Sequence, residues 1–194
     1  YQSYKLINNK EILPFEKVWY DVWKNINNLT IREQITITTY IVNYINPDFT
    51  PAYIVRGDAY FTNKDYINAL QDYTIAIEQQ PNNAEIYYKR GLTYNYLKDF
   101  YSNAINDFKQ ATDLNNNVAN FWAEYSYALK FSHYGADEML AKAIAINPQY
   151  KNFNYNELEQ QRTTIVYSSA LEKALFYSYI CLLYTSDAAD ELDG

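Results

Sequence analysis

The chain has 194 residues and a mass of 22.9 kDa, enough for one domain or for several short repeats sharing an elongated core. Tyr is over-used at 23 copies, while Gly (4) and Pro (5) are scarce, which suits long helices or strands and argues against a turn-rich sandwich. Of the net charge of −7, Asp187, Asp190, Glu191 and Asp193 supply four; the absence of a basic patch disfavours nucleic acid and anionic membranes as partners, and no apolar run reaches the 18 residues needed to span a bilayer.

The first predicted helix carries Phe15, Val18, Trp19, Val22, Trp23 and Ile26 as an apolar stripe, with Pro14 near its start. Asn28-Leu29-Thr30 reads as a helix-ending turn, and as a glycosylation sequon only in a secreted chain. Residues 31–45 are ambiguous, because Ile35-Thr36-Ile37-Thr38 alternates like a strand. Repeat phase counted back from Pro47 decides for a helix, placing Ile35, Thr39 and Val42 where Ala69, Tyr73 and Ala76 later stand.

From residue 50 onward the sequence repeats. Tyr53 and Tyr87, Gly57 and Gly91, Tyr60 and Tyr94, and Pro47 and Pro81 are each 34 positions apart. The second half of the later unit lags by one, since Ala69, Tyr73 and Ala76 correspond to Ala104, Phe108 and Ala111; an extra residue therefore falls in or just after residues 98–103. Tyr53, Gly57 and Tyr60 sit at i, i+4 and i+7, on one face of a helix of about 14 residues, roughly 21 Å long. Glycine inside a helix costs about 1 kcal/mol relative to Ala. Its presence twice at one phase predicts close approach of the paired helix, at Ala69 and Ala76. Asp65 and Asp99 are N-cap candidates for the second helices, and Pro81 stops the chain from continuing as one helix.

A third unit is less regular. Trp122 is the candidate for the place of Tyr87, with Phe121 or Tyr125 as alternative anchors, and Ala136, Leu140, Ala143 and Pro148 close its second helix. Asn156-Glu157-Leu158-Glu159 resembles a capping box that opens a further helix.

The bulky aromatic, Gly and Tyr on the first helix, the Ala, aromatic and Ala on the second, and the Pro at the exit together resemble the tetratricopeptide repeat (TPR) family. That resemblance implies an all-α, right-handed superhelical solenoid of helix-turn-helix repeats. It divides the chain into a degenerate pair at 14–49, repeats at 50–83 and 84–118, a divergent repeat at 119–150, and a terminal helix or start of a further repeat at 156–180. Residues 181–191 resemble the in-frame translation of a transposase-type sequencing adapter, so 181–194 is expected to be an artefactual tail, without which the chain has no cysteine.

The resemblance further implies a scaffold that binds a peptide or helix of a partner protein in a concave groove lined by the first helices. The expected groove residues are Ile54, Asp58, Phe61, Tyr88, Leu92, Asn95 and Tyr127, with Ala123 beside them. Some members of the family clamp a carboxylate-ended peptide with Lys and Asn on the first repeat; Ile54 and Asp58 stand at those positions here, so that clamp is not expected. The alternative reading is an accessory repeat region of a larger enzyme or of a secretion or envelope assembly component, the chain beginning at Tyr1 and not at Met. Nothing in the sequence marks an enzyme, a cofactor or a metal site: the one His, at 133, falls in an inter-helix turn, and no phosphate loop, dinucleotide fingerprint or nucleophile elbow is present. A cytoplasmic location is the weak preference of this reading, and no partner is identified by it.

Overall fold

The computed structural model describes Trp19 and residues 23–97, 100–130, 135–156 and 158. Most of the expected helix at 14–26, Asp99, His133, Glu157, Glu159 and the stretch beyond 158 lie outside the described residues. Seven α-helices are described: α1 (Ile31–Tyr40), α2 (Thr50–Thr62), α3 (Tyr66–Gln79), α4 (Ala84–Tyr96), α5 (Tyr101–Leu114), α6 (Ala119–Lys130) and α7 (Ala136–Ile146). No strand occurs among the described residues. Consecutive helices pack on one another from α1 to α7, in the helix-turn-helix stacking of an α-solenoid.

Local chemistry sets the helix boundaries. Thr30 opens α1 with a capping box: its Oγ1 accepts from the Glu33 amide at 3.3 Å, and Glu33 Oε2 accepts from the Thr30 amide at 2.8 Å. Asp65 caps α3 by accepting from the Asn68 amide, and Asn83 caps α4 by accepting from the Glu85 amide. The cap position of α5 is Phe100, whose side chain makes no cap bond. At the repeat exits Asn46, Asn115 and Asn147 each fold back to accept from the amide two residues on, at 3.0, 3.2 and 3.1 Å. Asn154 does the same for Asn156, and its carbonyl accepts from the Leu158 amide. The last helical turn therefore opens at Asn154 and not at the expected Asn156.

Residues 31–45 are helical throughout, but their register differs from the one expected. The chain leaves α1 through a π-helical turn, Ile41–Ile45, closed by the Asn46 amide donating to the Ile41 carbonyl at 2.9 Å. This turn absorbs one residue, so Thr38, fully buried, takes the place of Tyr73, and Thr39 takes that of Thr74.

The core is continuous along the stack. One cluster joins Trp19, Ile41 and Val42 to Ala52, Tyr53, Ala69, Tyr73, Ala76 and Ile86; the next joins Tyr66 and Leu70 to Tyr94, Phe100, Ala104, Phe108 and Ala128. The four repeating alanines, Ala69, Ala76, Ala104 and Ala111, are all completely buried. In the third unit Phe121 follows Ile86 into the core, and Ser126, fully buried, stands where Gly57 and Gly91 stand. Trp122 thus holds the place of Tyr87, half-buried, its indole donating to the Asn116 carbonyl at 2.9 Å. With 11 residues against 14 in α3 and α5, α7 is a shorter second helix.

Candidate functional site

Gly57 and Gly91 both face the paired second helix, but their neighbours are not the expected alanines. A Cβ at Gly57 would lie 2.7 Å from Tyr73 Cε1 and 3.0 Å from Cδ1; at Gly91 it would lie 3.0 Å from Phe108 Cε1 and 3.1 Å from Asp107 Cβ. Each glycine makes room for an aromatic ring of the second helix. Ala69 and Ala76, both completely buried, stand one turn to either side of Tyr73 on α3. Tyr73 is almost fully buried, and its hydroxyl donates to Asp58 Oδ1 at 2.7 Å. Burial first, and then the neighbouring Asp58, pushes the Tyr73 phenol far above its ordinary value of 10.0.

A second repeating device ties successive units together. Arg56 grips Asp72 with a two-pronged fork, Nε to Oδ2 at 2.8 Å and Nη2 to Oδ1 at 2.7 Å, while its Nη1 donates to Thr39 Oγ1 at 3.3 Å. Arg90 repeats this on Asp107 at 2.9 and 2.9 Å, and on Thr74 at 3.3 Å. Each guanidinium also lies over the ring three residues earlier, Arg56 over Tyr53 at 5.4 Å and Arg90 over Tyr87 at 5.9 Å. Each fork therefore joins the second helix of one unit to both helices of the next. Both aspartates are buried, and burial, opposed by Arg56, pushes the Asp72 carboxyl above the ordinary range.

The first helices α2, α4 and α6 stand side by side, bridged by side chains. Lys89 on α4 reaches both oxygens of Asp58 on α2, at 2.8 and 2.9 Å, and Phe61 meets Tyr96 edge-on at 5.1 Å. Tyr88 stacks on Phe121 at 4.8 Å, and Asn95 Nδ2 donates to Glu124 Oε2 at 3.3 Å.

Along this row the expected groove residues fall into three groups. Ile54, Phe61, Tyr88 and Leu92 are half-buried and present part of their apolar surface. Asp58 keeps 42% of its side chain exposed, yet it already accepts from Tyr73 and Lys89, so it is a hub of the fold as well as a surface group. Asn95 and Tyr127 are completely buried and Ala123 is 2% exposed, so these three offer a partner no surface, which corrects the expectation for them. Asn95 is spent on the next unit, where its amide donates to Glu124 on α6. Tyr96, half-buried against Phe61 and Tyr66, belongs to the row and was not among the expected residues. Its signal was its position four residues after Leu92, on the same helical face.

Among the described residues no three His, Cys, Asp or Glu side chains group to hold a metal ion. None of the described helices is long and apolar enough to cross a membrane.

Comparison with known proteins agrees with the geometry. Two family models match, one described as TPR repeat over residues 57–95 and one as tetratricopeptide repeat over residues 84–118. Among solved structures the fold is similar to MamA 41-end from Desulfovibrio magneticus RS-1, with 19% identity over 69% of this chain and 76% of that one and a TM-score of 0.61. A crystal structure of MamA matches with 18% identity over 86% of this chain and 95% of that one, TM-score 0.61. The Arabidopsis OM64 TPR domain matches with 19% identity over 58% of this chain and 92% of that one, TM-score 0.51. At these identities the likeness concerns the fold.

Proposed function

Residues 57–118 being tetratricopeptide repeats in an all-α solenoid, we propose that the chain is a protein-interaction scaffold that holds a peptide or helix of a partner protein along the row of its first helices. The observation that carries this reading is the strip of half-buried apolar side chains, Ile54, Phe61, Tyr88, Leu92 and Tyr96, set on α2 and α4. Partly exposed aromatic rings held by packed neighbours supply contact area at small entropic cost, which is how anchoring residues of interfaces act. This reading assigns the chain no chemistry of its own.

No lysine or arginine on α2 or α4 is placed to receive a partner carboxylate. Lys89 is taken by Asp58, and Arg56 and Arg90 are held in their forks on the far side of the helix pair. The groove is thus read as apolar and aromatic in character, without a carboxylate clamp.

The test compares capture of a partner by the parent chain, by Phe61→Ala and Tyr88→Ala, and by Tyr44→Ala, whose ring is 75% exposed away from this row. Loss of the partner from the first two variants and retention by the third is the expected result, with thermal unfolding used to show that all three remain folded. Retention by all variants would refute the groove.

A further inference from the structure

The charges along the row do not cancel. On the open face of α4, Glu85, Tyr88 and Leu92 stand at i, i+3 and i+7, so the Glu85 carboxylate lies on the same side as the half-buried Tyr88 and Leu92. Glu85 is exposed, and its carboxylate makes no hydrogen bond or ion pair with any described residue; only its amide is engaged, in the Asn83 cap. Asp58, across on α2, spends three contacts on Tyr73 and Lys89, yet 42% of its side chain remains accessible. A carboxylate offers about four lone-pair sites, so one direction of Asp58 stays open to a further donor.

The cations nearby are already matched. Lys89 neutralises Asp58, and Arg56 and Arg90 neutralise Asp72 and Asp107, which accounts for every cation on α2 and α4. The apolar strip is therefore bordered by one unmatched negative charge on α4, with a second, partly open carboxylate on the neighbouring helix α2. Electrostatic complementarity of a surface selects the sign of its partner.

Building on the groove reading, we infer that the partner segment carries Lys or Arg next to its apolar side chains, with a cation drawn to Glu85 and the open edge of Asp58 as a second acceptor further along the row. The apolar residues of that segment lie on Tyr88, Leu92 and Phe61. A carboxylate-ended or acidic segment would meet like charge at the same place.

A displayed library of random 12-residue peptides, panned over the immobilised full chain, tests this. Enrichment of peptides that combine aromatic or aliphatic residues with Lys or Arg is expected. For a synthetic peptide from that set, Glu85→Gln should weaken binding about two- to fivefold, the effect of one exposed ion pair. Asp58→Asn, which keeps an acceptor for the Tyr73 hydroxyl, should weaken the same peptide further while leaving its Ala-for-Arg analogue unaffected. Enriched peptides that lack basic residues, or affinity indifferent to Glu85→Gln and to Asp58→Asn, would overturn the inference and leave the groove standing. Failure to enrich any peptide, or enriched peptides that bind Phe61→Ala and Tyr88→Ala as tightly as the parent, would overturn the groove itself.

Discussion

Replacing Gly57 by Ala sets two effects of opposite sign against each other. In an ordinary helix interior the change stabilises by about 1 kcal/mol. Here the new methyl would lie 2.7, 3.0 and 3.1 Å from Cε1, Cδ1 and Cζ of Tyr73. Relief to van der Waals contact requires the ring to move by roughly 0.5–0.8 Å. The ring is not free to do so, because its hydroxyl is bonded to Asp58 at 2.7 Å and Asp58 is held in turn by Lys89. Either the strain remains, at about 1–3 kcal/mol for an overpacked core, or the hydrogen bond to a charged acceptor is lost, at about 1.5–3 kcal/mol. Subtracting the helical gain leaves Gly57→Ala less stable by about 0–2 kcal/mol, measured by urea unfolding. In a Tyr73→Leu background the ring and its bond are absent, and the same substitution should become neutral or stabilising. A Gly57→Ala protein more stable than the parent would refute the account of why glycine recurs at this phase.

Arg56→Met should cost about 3–5 kcal/mol, because Asp72, 2% exposed, would be left as an uncompensated buried charge; adding Asp72→Leu should recover most of the loss in the same unfolding assay. The Tyr73 phenol has a raised pKa in the folded state, so it stays protonated when the unfolded chain ionises near 10.0. Its contribution to stability is therefore complete below that pH and is lost above it, with a slope of up to about 1.4 kcal/mol per pH unit. Burial also raises Tyr60, Tyr87, Tyr125 and Tyr150, so the comparison is between the parent and Tyr73→Phe from pH 9 to 11. The variant should lose less stability over that range, and parallel curves would contradict the assignment.

The fold was legible wherever sterics leave few residue choices. Only glycine lets a ring approach a helix this closely, and only small residues fit beside that ring, so Gly57, Gly91, Ala69, Ala76, Ala104 and Ala111 declare their positions by identity alone. Two members of each fork were present in the same alignment, as Arg56 and Arg90 and as Asp72 and Asp107, while the equivalence of Thr39 and Thr74 was hidden by the π turn. They went unread because a charged residue on a helix is ordinarily solvated, and nothing local says that two such residues 16 positions apart are buried together. The π turn was invisible for a related reason: it inserts one residue without interrupting the apolar pattern, so Ile41 and Val42 remain inside on either register. The groove was the least legible part. Whether a position on a first helix faces solvent or the next unit depends on the rotation between units, and Asn95 and Tyr127 fell on the wrong side of that division. Tyr96 shows the converse, a ring that the end of α4 leaves half open.

The two forks bear on the energetics of recognition as well as on folding. Every apolar side chain of the strip sits on α2 or α4, the two helices that carry Arg56 and Arg90, and each of those helices is clamped at once to the unit before it and to its own partner. A guest that lies across them meets a platform already fixed in position, so little freedom is forfeited by the host on association, and what affinity there is comes from contact and not from ordering. In the next unit Tyr125 stands where the third arginine would be, so this clamp is not repeated on α6.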